Sequence, residues 1–340
     1  MLGYINKLID ENNGSISISE FMKTALYHKN YGYYNSKNPI GQVGDFITSP
    51  EISQLFGEIL AVWIMLAWEK LGKPREFILV EFGPGKGTLM QDIMRVTKKH
   101  QDFYNAMSIH LIEISPILIE LQKQALKNFN ITWHISINTL PEKIAIFVAN
   151  EFFDAMPIDQ FVYYNGELYE VRVAKDLSMI HIKTKAVNVI SIEERLFDGA
   201  TIEMCSVGID LMKKIEEYLC KNSGSALIID YGYINPPFKN TLQSIKNHRY
   251  SNILENIGES DITALVNFKA LQDTLKCLDS NLLTQREFLY LYGIKERIQA
   301  LMKNIDNEKQ KKKLLSEYLR LTENMGTLFK VLSINSYYIS

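Results

Sequence analysis

The chain reads as an α/β protein with a mostly parallel, doubly wound sheet, a helical N-terminal region and inserted antiparallel strands. Three observations predict this. Residues 76–151 alternate short apolar runs with helical periodicity. The run FILVEF (Phe77–Phe82) is continuous and apolar, as in a strand buried on both faces, and a glycine-rich turn and a helical pattern follow it. A carboxylate, Glu113, falls at the end of the next apolar run, 26 residues after Gly87, where Rossmann-like folds place the acid that binds a ribose.

Residues 1–74 are expected to form a helical N-terminal or cap region, and 75–340 the α/β core. Ile18–His28 has apolar residues at helical spacing, and a polar, aromatic, Gly-rich segment of about 20 residues follows, a length that in compact domains marks function or disorder. SPEISQLFGEILAVWIMLAWEKLG is expected as one buried helix that Ser49 can cap, with Pro50 at its first position and Gly72 and Pro74 ending it. Core strands are expected at Phe77–Phe82, Ile109–Ile114, Ile131–Ile135 and Ile144–Asn150, with helices near 88–99 and 116–128. Two insertions interrupt the later core. Near 160–200, period-two alternation around Asn165-Gly166 predicts an antiparallel meander; residues 235–265, polar and containing Pro236-Pro237, read as a long loop. Between them lie a helix, Val207–Lys221, and a strand ending at Asp230. Helices near 267–278, 285–292 and 294–324 and strands at 281–284 and 329–334 complete the chain. The lysine run near 309–313 reads as a solvated helix face.

Composition excludes several classes. Hydrophobic residues make up 46% and charged residues 22% of the 340, ordinary for a globular enzyme, and a formal net charge of −2 gives no case for nucleic-acid binding. Cys205, Cys220 and Cys277 are far apart and form no C-x-x-C, so neither zinc nor a disulfide framework is indicated. No apolar run is long enough to span a membrane. MLGYINKLIDENN carries Asp10 and Glu11 and has the pattern of neither a signal nor a transit peptide, so a cytoplasmic protein is expected.

The turn VEFGPGKGTLM is the first chemical signal. It lacks the G-x-x-x-x-G-K-[ST] of a phosphate loop, and its third glycine comes one residue early for G-x-G-x-x-G. The spacing Glu81-x-Gly83-x-Gly85-x-Gly87 is that used by class I S-adenosylmethionine (SAM) methyltransferases. Without Cβ atoms the backbone can lie against the ligand. Glu113 alone would be a solvated strand-end acid; paired with this turn it is a candidate ribose ligand. The fourth core strand ends in VANEFFDAMPIDQF, which puts Asn150, Glu151 and Asp154 beyond the carboxyl edge of the sheet. If this segment is a helical turn, two carboxylates three residues apart can face one cavity and clamp a planar guanidinium; the alternative is that Asn150 and Asp154 cap a helix or turn. In GDFITSPEISQLFGE, Asp45, Thr48, Ser49 and Glu51 either cap the buried helix or cover the cofactor. Asp230 either faces the cavity or closes a strand-end turn. Trp133 and His134 could approach an adenine, although a core tryptophan is the simpler reading. His248 and Arg249 carry no chemistry beyond a loop that contacts substrate.

GDFITSPEISQLFGE, VEFGPGKGTLM, ANEFFDAMPIDQF and IDYGY follow one another in the order and spacing of the MidA-type SAM-dependent methyltransferases, and ALYHKNYGYY, SDITALVNF, TQREFL and MGTLFKVL resemble that family too. The family is similar to a mitochondrial arginine methyltransferase that assists assembly of respiratory complex I. The resemblance implies a class I SAM-methyltransferase fold, SAM as cofactor, and methylation of an arginine ω-nitrogen on a protein substrate, with a complex I core subunit as one candidate. It carries Gly83, Gly85 and Glu113 to the cofactor site, and Glu151, Asp154 and Asn150 to the acceptor side as the candidate catalytic residues; Glu81 and Gly87 of the same turn and Thr48 of the covering loop join the cofactor candidates on the residue reading alone. Asn267 departs from the pattern, which has an aspartate there. The alternatives are a non-catalytic SAM-binding assembly factor and a small-molecule methyltransferase. The missing transit peptide fits a bacterial form.

Overall fold

The computed structural model describes residues 1–36, 48–184, 196–246 and 249–336; Asp45 and His248 lie outside them. Seven strands build the central sheet: β1 (Phe77–Phe82), β2 (Met107–Ile112), β3 (Ile131–His134), β4 (Ala145–Asn150), β5 (Gly224–Tyr233), β6 (Asp279–Thr284) and β7 (Phe329–Asn335). Their spatial order is β3-β2-β1-β4-β5-β7-β6, and the two-residue strand Val266–Asn267 pairs with the end of β5. β1 to β5 are mutually parallel, and β7 runs antiparallel to both its neighbours. The chain winds outward from β1 to β3, then returns to the other side of β1 as β4. The switch point therefore lies between β1 and β4, and ligands of such sheets bind in the crevice beyond their carboxyl ends.

All six residues of β1 are buried, which is why its sequence shows no alternation. Phe77 and Leu79 face one core, shared with the helices Gln54–Lys70 and Thr88–Thr97. Ile78, Val80 and Phe82 face the other, closed by the helix Ser206–Asn222. In the first core Glu58 is buried but accepts from Arg95 (2.9 Å) and Arg297 (2.6 and 3.1 Å). Burial works to raise its pKa, yet the two guanidinium groups outweigh it and hold the carboxyl below its ordinary value.

Two expectations are corrected, and one further element appears. The helix expected from Ser49 is two elements: a single turn, Ser49–Ile52, and then Gln54–Lys70. Between them Ser53 is extended (φ −158°, ψ 138°) and its hydroxyl accepts from the Leu55 N–H. A serine side chain competes for backbone groups in this way, and hydrophobic periodicity cannot see it. The expected loop at 235–265 contains a three-stranded antiparallel sheet of Gln243–Lys246, Arg249–Ser251 and Asp261–Thr263, with strands too short and polar for alternation to register. A helix at Gln101–Ala106 was not expected at all.

The meander forms as expected. Asp159–Tyr164 and Glu167–Ala174 join at Asn165-Gly166, whose φ values of 50° and 77° suit a tight hairpin. Its sheet also takes in Ser15–Ser17, Met179–Lys183 and Thr201–Met204. Ile5, Ile9 and Phe21 from the N-terminal helices share a third core with Val171, Val173 and Ile262. The helices Leu2–Glu11 and Ile18–Tyr27 and both insertions thus form one body over the crevice, and Gln54–Lys70 packs on the central sheet itself. The helix Glu308–Leu319 buries no residue, in keeping with its lysine run.

Candidate functional site

β1 delivers the glycine turn to the switch point. Gly83, Gly85 and Gly87 have φ of 58°, 54° and 82°, a region in which a Cβ is strained. A Cβ on Gly83 would also come within 2.6 Å of Phe152 Cδ2. Gly87 caps the helix Thr88–Thr97 without a side chain, so the first turn keeps its amides available. The Thr88 hydroxyl donates to Glu51, tying this turn to Ser49–Ile52.

Two acids flank the turn. Glu81 pairs with Val148 in register, so its side chain and that of Asn150 face the same side of the sheet. Glu81 is buried, and its Oε2 has no hydrogen-bond partner among the described residues. Burial, and then the charge on Glu113, push its carboxyl up to about 8. An orphaned, desolvated acid beside a glycine turn suits a cationic ligand, and SAM carries both a sulfonium and an ammonium. Glu113 follows β2 directly. Its Oε1 accepts from the N–H groups of Ile114 and Ser115, both at 2.8 Å, and its Oε2 from Gln122 Nε2 at 3.1 Å. Burial raises its pKa, opposed by the Ser115 N–H and by Gln122.

Sequence reasoning missed Gln122. It is fully buried on the helix Pro116–Ala125, donates to the Gly85 carbonyl (2.8 Å) as well as to Glu113, and accepts from Trp133 Nε1 (2.9 Å). One amide thus sets the spacing between the glycine turn and the ribose-binding candidate. Its signal was available: Leu118 and Gln122 are the two buried positions of that helix, four residues apart, and a glutamine on an apolar face needs partners.

The second half of the site is the loop after β4. Glu151 is a non-glycine residue with φ 49°, a conformation costing on the order of 1 kcal/mol or more and concentrated at functional sites. Its N–H donates to the Ile229 carbonyl (2.9 Å), and its Oε1 accepts from the Ser49 N–H (2.7 Å) and Asn150 Nδ2 (3.3 Å). The turn Ser49–Ile52 therefore touches both halves, through Ser49 to Glu151 and through Glu51 to Thr88. Thr48 occupies the cap position of that turn but makes no side-chain cap bond.

Asp230 holds the loop in shape. It is wholly buried in β5; its Oδ2 accepts from the N–H groups of Phe152 (3.1 Å), Phe153 (2.9 Å) and Asp154 (3.1 Å), and its Oδ1 from that of Tyr231 (2.9 Å). The side chain neither faces an open cavity nor closes a strand-end turn, the two roles expected for it. From the overlying body, Tyr27 donates to the Ala155 carbonyl (2.9 Å), the Ala264 N–H donates to the Asp154 carbonyl (3.0 Å), and Tyr34 donates to Asp261 (3.1 Å).

The result is a desolvated group of acids. Burial raises the pKa of Asp154, and the charges of Asp230, Asp261 and Glu151 raise it further. Burial raises Glu151 as well, against the Ser49 N–H. Burial and Glu151 push Asp230 up to about 8, opposed by the N–H groups it accepts. Tyr27, Tyr34 and Tyr231 are raised in turn by burial and by these acids, which keeps their hydroxyls protonated as donors. Elsewhere, Asn267 caps the helix Phe268–Thr274 by accepting from the Ala270 N–H at 3.0 Å. Its amide does the capping an aspartate would do, so no charge is needed there.

Residues 59–284 match a family model described as "Putative S-adenosyl-L-methionine-dependent methyltransferase". The chain is 34% identical to the protein arginine methyltransferase NDUFAF7, mitochondrial, of Danio rerio, over 94% of this chain and 83% of that protein. It is 32% identical to the mitochondrial NDUFAF7 homolog of Caenorhabditis elegans, over 94% and 82%. A Burkholderia thailandensis protein solved bound to S-adenosyl-homocysteine has the same fold, with a TM-score of 0.85 at 22% identity over 98% of this chain and 91% of that one. The cytoplasmic placement is corrected by these relatives, which are named mitochondrial; the composition of the first residues does not decide a compartment. With a family match over most of its length and a curated relative above 30% identity across nearly all of it, the chain belongs to this family of SAM-dependent methyltransferases.

Proposed function

We propose that this methyltransferase acts on an arginine ω-nitrogen of a protein, and that a subunit of respiratory complex I is the acceptor to test first. The observation that carries the reading is the acid group at the switch point. Glu151 and Asp154 are desolvated, with Asp230 and Asp261 acting on Asp154, and neither forms a salt bridge among the described residues; the charge of Arg320 reaches Glu151 only as the smallest of the influences on it. Such a group is unfavourable until a cation enters, and a guanidinium brings both the charge and a donor geometry that fits carboxylates. Curated relatives named as protein arginine methyltransferases support the same reading.

In this reading the backbone of Gly83, Gly85 and Gly87 cradles the cofactor, Glu81 meets its positive end, Glu113 binds the ribose hydroxyls, and Thr48 lies over it. When bound, SAM supplies a methyl carbon activated by a positive sulfur. Glu151 and Asp154 hold the guanidinium and draw its charge toward the nitrogens they contact, which leaves electron density on the attacking nitrogen. Holding the reactants in line is worth about 7–11 kcal/mol. The proton that leaves the methylated nitrogen passes to one of the two carboxylates, whose raised pKa makes it a competent acceptor, and then to water. Asn150 steadies Glu151.

The direct test is incubation of the protein with isotope-labelled SAM and an extract of cells lacking its gene, followed by acid hydrolysis. Label recovered as methylarginine in one protein is the expected result. Label confined to small molecules would overturn the reading, and tight SAM binding without transfer would favour a non-catalytic role.

Two expectations concern the cofactor. Glu81 is protonated at neutral pH in the free protein, with its carboxyl raised to about 8; a cationic ligand beside it favours the anion, so SAM binding should release a proton and tighten as pH rises from 6 to 8. For stability the sign is opposite: the folded state keeps a proton that the unfolded chain sheds, so the Glu81 contribution is present below its ordinary value of 4.5 and is lost as pH rises toward about 8. Titration calorimetry in buffers of different ionisation enthalpy reads the proton, and Glu81→Gln should remove both trends. Gln122→Ala should weaken SAM binding about tenfold, because Glu113 and the Gly85 carbonyl lose their common donor. Unchanged affinity would mean that the backbone alone sets their spacing.

A further inference from the structure

Cys220 and Cys277 are 57 residues apart in sequence, yet the fold brings them together. Cys220 lies in the last turn of the helix Ser206–Asn222, and Cys277 between the helix Phe268–Thr274 and β6. Glu216, one turn before Cys220, accepts the N–H groups of Lys276 (2.5 Å) and Cys277 (2.8 Å), which pins the Cys277 backbone against that helix. Cys277 therefore lies beside the end of the helix that carries Cys220, close enough to act on its thiol, and both cysteines are free and exposed. Leu219 and Leu271 anchor the two helices in one core, so the approach of the two cysteines is built into the packing. A metal site is a poor fit, because among the described residues no three or more His, Cys, Asp or Glu are arranged to hold one.

We propose that Cys220 and Cys277 form a redox-responsive dithiol, which low-molecular-weight disulfides such as glutathione disulfide convert to an intramolecular disulfide. One thiolate attacks a sulfur of glutathione disulfide, forms a mixed disulfide and expels a glutathione thiolate. The second cysteine then attacks the protein sulfur of that mixed disulfide, the Cys220–Cys277 bond forms, and the second glutathione leaves. Two electrons pass from the protein pair to one glutathione disulfide, and the two thiol protons end on the two glutathiones. Burial, Cys277 and Glu216 raise the Cys220 thiol above its ordinary value, so its thiolate is scarce at neutral pH and the exchange speeds up as pH rises through the thiol range. The bond would close a loop that contains Asp230, Asp261 and Ala264, the residues that hold or flank the acceptor loop. Closing a loop of this length restricts the unfolded chain and should raise Tm by about 5 °C.

The test equilibrates the purified full chain in graded mixtures of reduced and oxidised glutathione, blocks free thiols, and reads intact mass, peptide map and melting. A mass lower by two hydrogens, a Cys220–Cys277 linked peptide, reversal by dithiothreitol and a higher Tm are expected. Cys220→Ser and Cys277→Ser should each retain one glutathione and show no rise in Tm. Two stable glutathione adducts on the unaltered chain, disulfide-linked dimers, or no change of mass across the series would overturn the proposal.

Discussion

Glu151→Gln is expected to reduce methyl transfer by about a hundred- to a thousand-fold while leaving SAM affinity within about threefold. The substitution keeps the size of the side chain and an oxygen for the Ser49 N–H that now lies 2.7 Å from the carboxylate. It removes the negative charge. A guanidinium would then meet a neutral amide that offers its own donors, and the charge-assisted bonds that fix and polarise the acceptor are lost. Single groups of this kind are worth about 3–4 kcal/mol in a desolvated site. The fold should tolerate the change, because burial already raises the pKa of this carboxyl and the neutral side chain is the cheaper one to bury. Turnover at saturating SAM, calorimetric SAM binding and a melting curve separate the roles. Loss of SAM binding would place Glu151 on the cofactor side; retained turnover would remove it from the chemistry.

Most of the frame that presents Glu151 was legible in the sequence, and the reasons are local. FILVEF is apolar at every position because β1 is covered on both faces, and Gly83, Gly85 and Gly87 occur where the backbone needs a left-handed φ. The turn at Asn165-Gly166 declares itself in two residues. The position of Glu113 just past the end of β2 was readable because strand, turn, helix and next strand have nearly fixed lengths in a doubly wound sheet. What stayed hidden depends on pairing between distant segments. Asp230 reaches the loop N–H groups only because the register of β4 and β5 puts Ile229 beside Asn150, and nothing near IDYGY in sequence announces it. The break at Ser53 and the small sheet of the second insertion involve too few residues to leave a periodic trace. The approach of Cys277 to the helix that carries Cys220 is of the same kind, which is why spacing alone argued against any relation between them.

Asp230→Asn tests the distant pairing and should have a different signature. One aspartate oxygen accepts three backbone N–H groups and the other a fourth. Asparagine has only one acceptor oxygen. If that oxygen faces Phe152–Asp154, the amide NH2 meets the Tyr231 N–H; if it is flipped, the NH2 meets three N–H groups at once. Either way buried donors lose their acceptor, at about 2–4 kcal/mol, so Tm should fall by several degrees. Turnover should fall too, even at temperatures where the variant is folded, because the backbone that carries Glu151 and Asp154 is no longer held, and SAM affinity should change less than turnover. Glu151→Gln, by contrast, should lose turnover alone. If Asp230→Asn melts and turns over like the unaltered protein, then the Ala264 N–H on the Asp154 carbonyl, the Tyr27 hydroxyl on the Ala155 carbonyl and the Ser49 N–H on Glu151 suffice to hold the loop. The acids would then be positioned from the overlying body and not from the sheet.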